Sequence, residues 1–104
     1  MTARAARPQK GAVPLSEAEL DRILPRIDEA DPEWQAYVRR IEAYCHRLTH
    51  FPNRGSPQDD LEPGLRRIAF EGRATIYYRV EADRVRILRI LAAGRDPTRE
   101  FRRS

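Results

Sequence analysis

Five arginines, Arg66, Arg67, Arg79, Arg86 and Arg89, crowd three short apolar runs in the second half of the chain. The planar arginine fork suits phosphate and carboxylate, so these groups could neutralise the charge that develops when an RNA phosphodiester breaks. That reaction also needs a base for the 2′-hydroxyl and an acid for the leaving oxygen. The second half offers few candidates: Glu71, Glu81 and Asp83 fall at turns, Tyr77 and Tyr78 adjoin on one run, and no histidine follows His50. A complete acid–base pair is not visible. The arginines therefore read as binding groups, and no catalytic residue is assigned.

His46 and His50 stand four residues apart, beside Cys45, a spacing that could begin a metal site on a helix. A third and fourth ligand are not evident, so both read as helix-surface histidines, and neither metal nor cofactor is expected. Cys45 falls on an apolar helix face and reads as a small buried hydrophobe rather than a nucleophile. Trp34, near the start of the same helix, is either core or an exposed anchor, with core favoured.

These groups sit in a chain of 104 residues, the size of one domain. The longest apolar stretch, Ile90 to Ala93, is far too short to span a bilayer. No apolar run follows the basic stretch Met1 to Lys10, so it does not read as a secretory signal. One cysteine forbids an internal disulfide and suits a reducing cytoplasm. Residues 11–63 hold six arginines against eleven acids, a net of −5, and residues 64–104 hold eleven against five, a net of +6. A dipolar molecule with one face suited to an anionic partner follows. Of the twenty cations only Lys10 is lysine; a GC-rich genome would account for that bias as readily as phosphate or carboxylate recognition.

Local signals place the elements. Residues 1–11 lack apolar periodicity and read as a flexible basic leader; Ala12 to Leu15 form a short edge strand, confined there by Pro14. Ser16 with Glu19 makes a capping box. Leu20, Ile23, Leu24 and Ile27 then line one helix face, which Pro25 must kink or end early. Asp31-Pro32 opens a second helix with Tyr37, Val38, Ile41, Cys45 and Leu48 on its apolar face, running to about His50. A loop rich in Pro, Asn and Gly follows. After Pro63-Gly64 the period becomes two: Leu65–Phe70, Thr75–Val80 and Val85–Leu91 read as strands joined by hairpin-length turns. The expected fold is α+β: a short N-terminal strand, an antiparallel helical hairpin, then a three-stranded antiparallel meander in two layers. On the last strand strict alternation puts Val85, Ile87, Arg89 and Leu91 on one face and Arg86, Leu88 and Ile90 on the other. Both faces are more apolar than a solvated sheet requires, so the second is either a partner groove or covered by a loop or the tail. Residues 97–104 read as a mobile basic tail, outside a domain spanning 12–96.

Several pieces in order then carry a resemblance: Phe51-Pro52 with Gly55, Leu61-Glu62-Pro63-Gly64-Leu65-Arg66, Ile76 to Val80, Val85 to Leu91, and Gly94-Arg95-Asp96. Together they resemble the RelE/ParE toxin superfamily, closer to its ParE branch, over about residues 12–96. The resemblance implies the toxin of a type II toxin–antitoxin system, held inactive by a cognate, ParD-like antitoxin with an acidic C-terminal segment, in a hetero-oligomer. Members of the ribonuclease branch cleave mRNA on the ribosome; ParE-like members are associated with inhibition of DNA gyrase without being enzymes. Ala92-Ala93 stand where several family sequences carry histidine, and Thr75 where the ribonuclease branch has arginine, which favours the gyrase alternative.

From charge and resemblance together, Arg66, Arg67, Arg79, Arg89, Arg95 and Arg99 are target-binding candidates. Leu20, Ile23, Trp34, Tyr37, Arg66, Arg79, Leu88 and Ile90 are candidates for the antitoxin contact, on the hairpin and the sheet. The resemblance also makes the C-terminal tail a candidate effector-contact element.

Overall fold

The computed structural model describes residues 17–26, 28 and 30–102. The expected leader, the strand at 12–15, Ser16 of the capping box and Ile27 lie outside them. Helix α1 covers Glu17–Ile23. Its last turn closes with the Leu24 amide donating to the Leu20 carbonyl, and Pro25, which has no N–H to continue the ladder, ends it. Helix α2, Pro32–Arg47, begins as its sequence demands: Asp31 is the N-cap, its carboxylate accepting from the Glu33 amide at 3.0 Å, with Pro32 at the first helical position. It stops three residues short of His50, and residues 48–50 form turns in which Leu48, Thr49 and His50 donate to carbonyls three residues back.

Four antiparallel strands follow in sequential order: β1 Ser56–Pro57, β2 Leu65–Phe70, β3 Ala74–Val80 and β4 Val85–Ala92. The meander β2-β3-β4 is the one the period-two runs imply. The two-residue β1 falls in the expected Pro-, Asn- and Gly-rich loop, because a strand this short has no period to detect. Tertiary pairing makes it a strand, with Ser56 opposite Arg67 and Pro57 opposite Arg66. The β2–β3 turn places Glu71 and Gly72 at φ +52° and +70°, both in the left-handed region favoured by tight hairpins.

Both helices pack on one side of the sheet. Leu20, Ile23 and Leu24 of the α1 region and Tyr37, Ile41, Cys45 and Leu48 of α2 are buried against Phe70, Ala74, Ile76, Tyr78 and Ile90. At about 25 cal/mol per Å² this burial is the main stabilising term of the fold. Arg40 then ties α2 to the hairpin tip, its guanidinium bidentate on the Glu71 carboxylate with both contacts at 2.8 Å.

A β-bulge overturns the alternation expected for β4. Tyr77 pairs with Arg89 and Tyr78 with Ile87, leaving Leu88 as the extra residue. One added residue inverts the parity, so Val85, Ile87, Ile90 and Ala92 all pack toward the helices, while Arg89 and Leu91 face away. On that far side Leu65, Tyr77 and Leu91 form a second, smaller buried cluster, covered by Leu61, Leu88 and Phe101. Phe101 belongs to a third helix, α3, Pro97–Arg102. Residues 97–102, within the segment expected to be a mobile basic tail, are helical and close the second sheet face together with the 58–64 loop. No helix among the described residues is long and apolar enough to cross a membrane.

Candidate partner-binding face

Neighbouring arginines on β2 part company because successive strand residues face opposite ways. Arg66 points to the helical side, paired across the sheet with Tyr78, and its guanidinium donates to the Gly55 carbonyl at 2.6 Å. It is a clamp on the Phe51–Gly55 loop. Tyr78 completes the clamp: its hydroxyl accepts from the Gly55 amide and donates to the Pro52 carbonyl, both at 2.8 Å. Arg66, Tyr78, Pro52 and Gly55 are therefore one structural unit, built from residues distant in sequence.

Arg67 belongs to the far face. It is exposed and pairs with Tyr77, which pairs with Arg89, so Arg67, Tyr77 and Arg89 make one row across three strands. Strands lie about 4.8 Å apart, so the two arginines stand roughly 10 Å from each other with the phenol between them. The adjacent row is Leu65, Arg79 and Arg86. Arg79 is half-buried and donates to Glu62 at 2.7 Å, and Arg86 lies 3.5 Å from Glu81. Among the described residues Arg67, Arg89 and Arg99 are in no salt bridge.

Phe101 rests edge-on against Tyr77 with ring centroids 5.4 Å apart, and the Arg89 guanidinium lies 5.9 Å from the Phe101 centroid. The Asp96 carboxylate caps the short helix, accepting from the Thr98 amide at 3.0 Å. Burial pushes the Tyr77 pKa up, while the Arg67 guanidinium bonded to its hydroxyl opposes the rise. A phenol held neutral under an aromatic lid is poorly placed as a general base. The chemistry on offer is charge and apolar contact.

The remaining arginine candidates divide. Arg99 is exposed on α3. Arg95 is half-buried, 3.4 Å from Glu19, whose buried carboxylate also accepts the Ala92 amide and so fastens α1 to the end of β4. Of the antitoxin candidates, Leu20, Ile23, Tyr37 and Ile90 lie in the main core at 6 % exposure or less, sealed by the protein's own packing. Trp34 is half-buried with the Arg26 guanidinium 4.4 Å from its ring centroid, and Leu88 is half-buried on the far face. Leu88 and Ile90, expected on one face, are separated by the bulge. His46 and His50 are exposed, and among the described residues no group of three or more His, Cys, Asp or Glu could hold a metal.

Tyr77 and Phe101 went unassigned in the sequence reading. A signal for Phe101 existed. Asp96-Pro97 repeats the Asp31-Pro32 helix start, and both aspartates cap the amide two residues on.

Comparison with known proteins places the chain in a family. The family model described as the ParE toxin of the type II toxin–antitoxin system parDE matches residues 14–97. Toxin ParE3 of Caulobacter vibrioides is 37% identical over 75 residues, covering 70% of this chain and 74% of that protein. The matched span takes in the α2–β1 clamp, the whole sheet and the Arg95-Asp96 junction, and it implies an antitoxin partner. The chain belongs to the ParE toxin family of type II toxin–antitoxin systems.

Proposed function

We propose that this toxin arrests growth in the cytoplasm as a binding inhibitor of DNA gyrase, and that a ParD-like antitoxin with an acidic segment neutralises it in a hetero-oligomer. The row Arg67–Tyr77–Arg89 carries the reading. It offers two cations that pair with no carboxylate among the described residues, set around an apolar seat, a surface for an anionic macromolecule rather than a site for bond cleavage. Arg79 and Arg99 extend the basic rim, and Leu88 contributes to its apolar floor. Trp34 and the exposed side of α2 provide the helical contact for the antitoxin. The absence of histidine after His50 weighs against acid–base chemistry on this face.

The deciding experiment adds the purified chain to DNA gyrase and follows supercoiling, alongside a translation reaction in which transcript integrity is scored. Inhibited supercoiling with intact transcripts is the expected result. Cut transcripts with unaffected gyrase would replace this reading with the ribosome-dependent endoribonuclease.

A further inference from the structure

We infer that Phe51 and Val80, with the cations Arg47 and Arg54, form a docking knob for an acidic protein surface, and that this surface belongs to the toxin's target. The inference rests on the binding-inhibitor reading above and adds a contact on the opposite side of the sheet from the Arg67 row.

Phe51 is 60 % exposed, while the other seven aromatic side chains are buried or half-buried. Val80, at 40 %, is the other exposed large hydrophobic group among the described residues. Both border one clamp. The Tyr78 hydroxyl holds the Phe51–Gly55 loop through Pro52 and Gly55, and Val80 follows Tyr78 by two residues on the same side of β3. Arg66 adds its bond to the Gly55 carbonyl, and the Arg54 amide donates to the Phe51 carbonyl at 3.2 Å. Hydrogen bonds thus fix a loop whose largest apolar side chain is left in solvent. A ring held in place before contact loses little freedom on binding, which suits it to anchor a protein interface.

Charge states what the partner must be. Residues 11–63 are acidic as a whole, yet no acid lies between Glu42 and Asp59. That stretch holds His46, Arg47, His50 and Arg54, all of them exposed. Neither arginine is in an ion pair among the described residues. The Arg54 guanidinium lies 6.0 Å from the Phe51 ring centroid. An apolar knob in a cationic collar matches a recess with an acidic rim: burial supplies affinity, and the rim steers the approach and fixes register. Val80 favours protein over nucleic acid. Bases stack on flat rings, and an aliphatic side chain at the same clamp adds nothing to a stack. A protein recess buries both.

The test induces the full chain in cells to score growth arrest, and adds it, purified, to DNA gyrase to score supercoiling. The wild type is compared with Phe51→Ala, with Phe51→Ala plus Val80→Thr, and with Arg47→Glu plus Arg54→Glu. All these side chains are exposed, so circular dichroism and melting temperature should stay at the wild-type values. Phe51→Ala should raise the half-inhibiting concentration about tenfold or more, the effect of losing one interface anchor, and should relieve growth arrest. The charge reversal should weaken inhibition as well, and Phe51→Tyr, which keeps the ring, should restore it. A folded Phe51→Ala as potent as the wild type, or indifference to the charge reversal, overturns the inference. So does binding of labelled single-stranded or duplex DNA by the chain alone that Phe51→Ala abolishes, which makes this end a nucleic-acid surface. A wild-type chain that arrests growth but spares gyrase sinks the gyrase reading, and relief of arrest by Phe51→Ala then decides the knob by itself. A wild-type chain that does neither overturns both.

Discussion

A β-carbon added to Gly55 would lie 2.6 Å from the Tyr78 hydroxyl, and the same distance from the Arg67 carbonyl. The Gly55 φ of −78° is open to any residue, so close approach rather than backbone conformation reserves this position for glycine. Gly55→Ala should push the loop off the sheet and destabilise by roughly 1–3 kcal/mol, the range for an overpacked buried site. Tyr78→Phe leaves the Gly55 amide and the Pro52 carbonyl without their partner and should cost a similar amount, about 1–3 kcal/mol. Urea unfolding of the two single variants and the double variant measures this. Full additivity would show that the two residues are not coupled.

The parting of Arg66 and Arg67 gives a second test. Arg66→Ala breaks the guanidinium contact to the Gly55 carbonyl and should lower stability by about 1.5–3 kcal/mol, as for hydrogen bonds from charged groups. Arg67→Ala should cost less, about 1 kcal/mol, because its side chain is exposed and what it gives up is the bond to the Tyr77 hydroxyl. Inhibition of gyrase should respond the other way, falling for Arg67→Ala with Arg89→Ala and persisting for folded Arg66→Ala. Equal loss in both would show that the far face has no special part.

Phe101 contributes to the fold as well as to the face. Phe101→Ala should destabilise by roughly 1–2 kcal/mol, less than the 3–5 typical of a fully buried phenylalanine, since it is only half-buried. Its removal also uncovers Tyr77, so the phenol should titrate closer to its ordinary range, which ultraviolet absorbance at rising pH reports. An unmoved melting curve would mean that α3 adds nothing to the sheet.

Alkaline pH should unfold the protein through two buried acids. Burial pushes the Cys45 thiol up from 9.0 to about 12 and the Tyr37 phenol up from 10.0 to about 12. Both groups are neutral when protonated and are held so in the folded state, so their contribution is complete below pH 9. It is lost as pH rises from 9 toward 12, where the unfolded chain ionises first. Tyr37→Phe should flatten the upper part of that decline. At neutral pH it should cost little, because the Tyr37 hydroxyl is buried with no hydrogen-bond partner among the described residues. Cys45 should resist alkylation in the folded protein and react freely in urea.

Element types and most boundaries were legible in the chain because their causes are local. The Asp31-Pro32 start, the Pro25 stop and the three period-two runs each act within a few residues, and the strand Leu65–Phe70 is found where the alternation places it. The charge asymmetry between residues 11–63 and 64–104 is likewise legible in composition alone. Which residues share a face was decided only by tertiary pairing. Side-chain direction in a strand depends on register with its neighbours, and the one added residue at Leu88 sends Ile90 into the main core and Arg89 to the far side. The same register gives Arg66 to the loop and Arg67 to the far face of the sheet. Phe101, a lone apolar group in a basic tail, gained its place from Leu65, Tyr77 and Leu91 on three separate strands, an apolar seat that forms only when the sheet does.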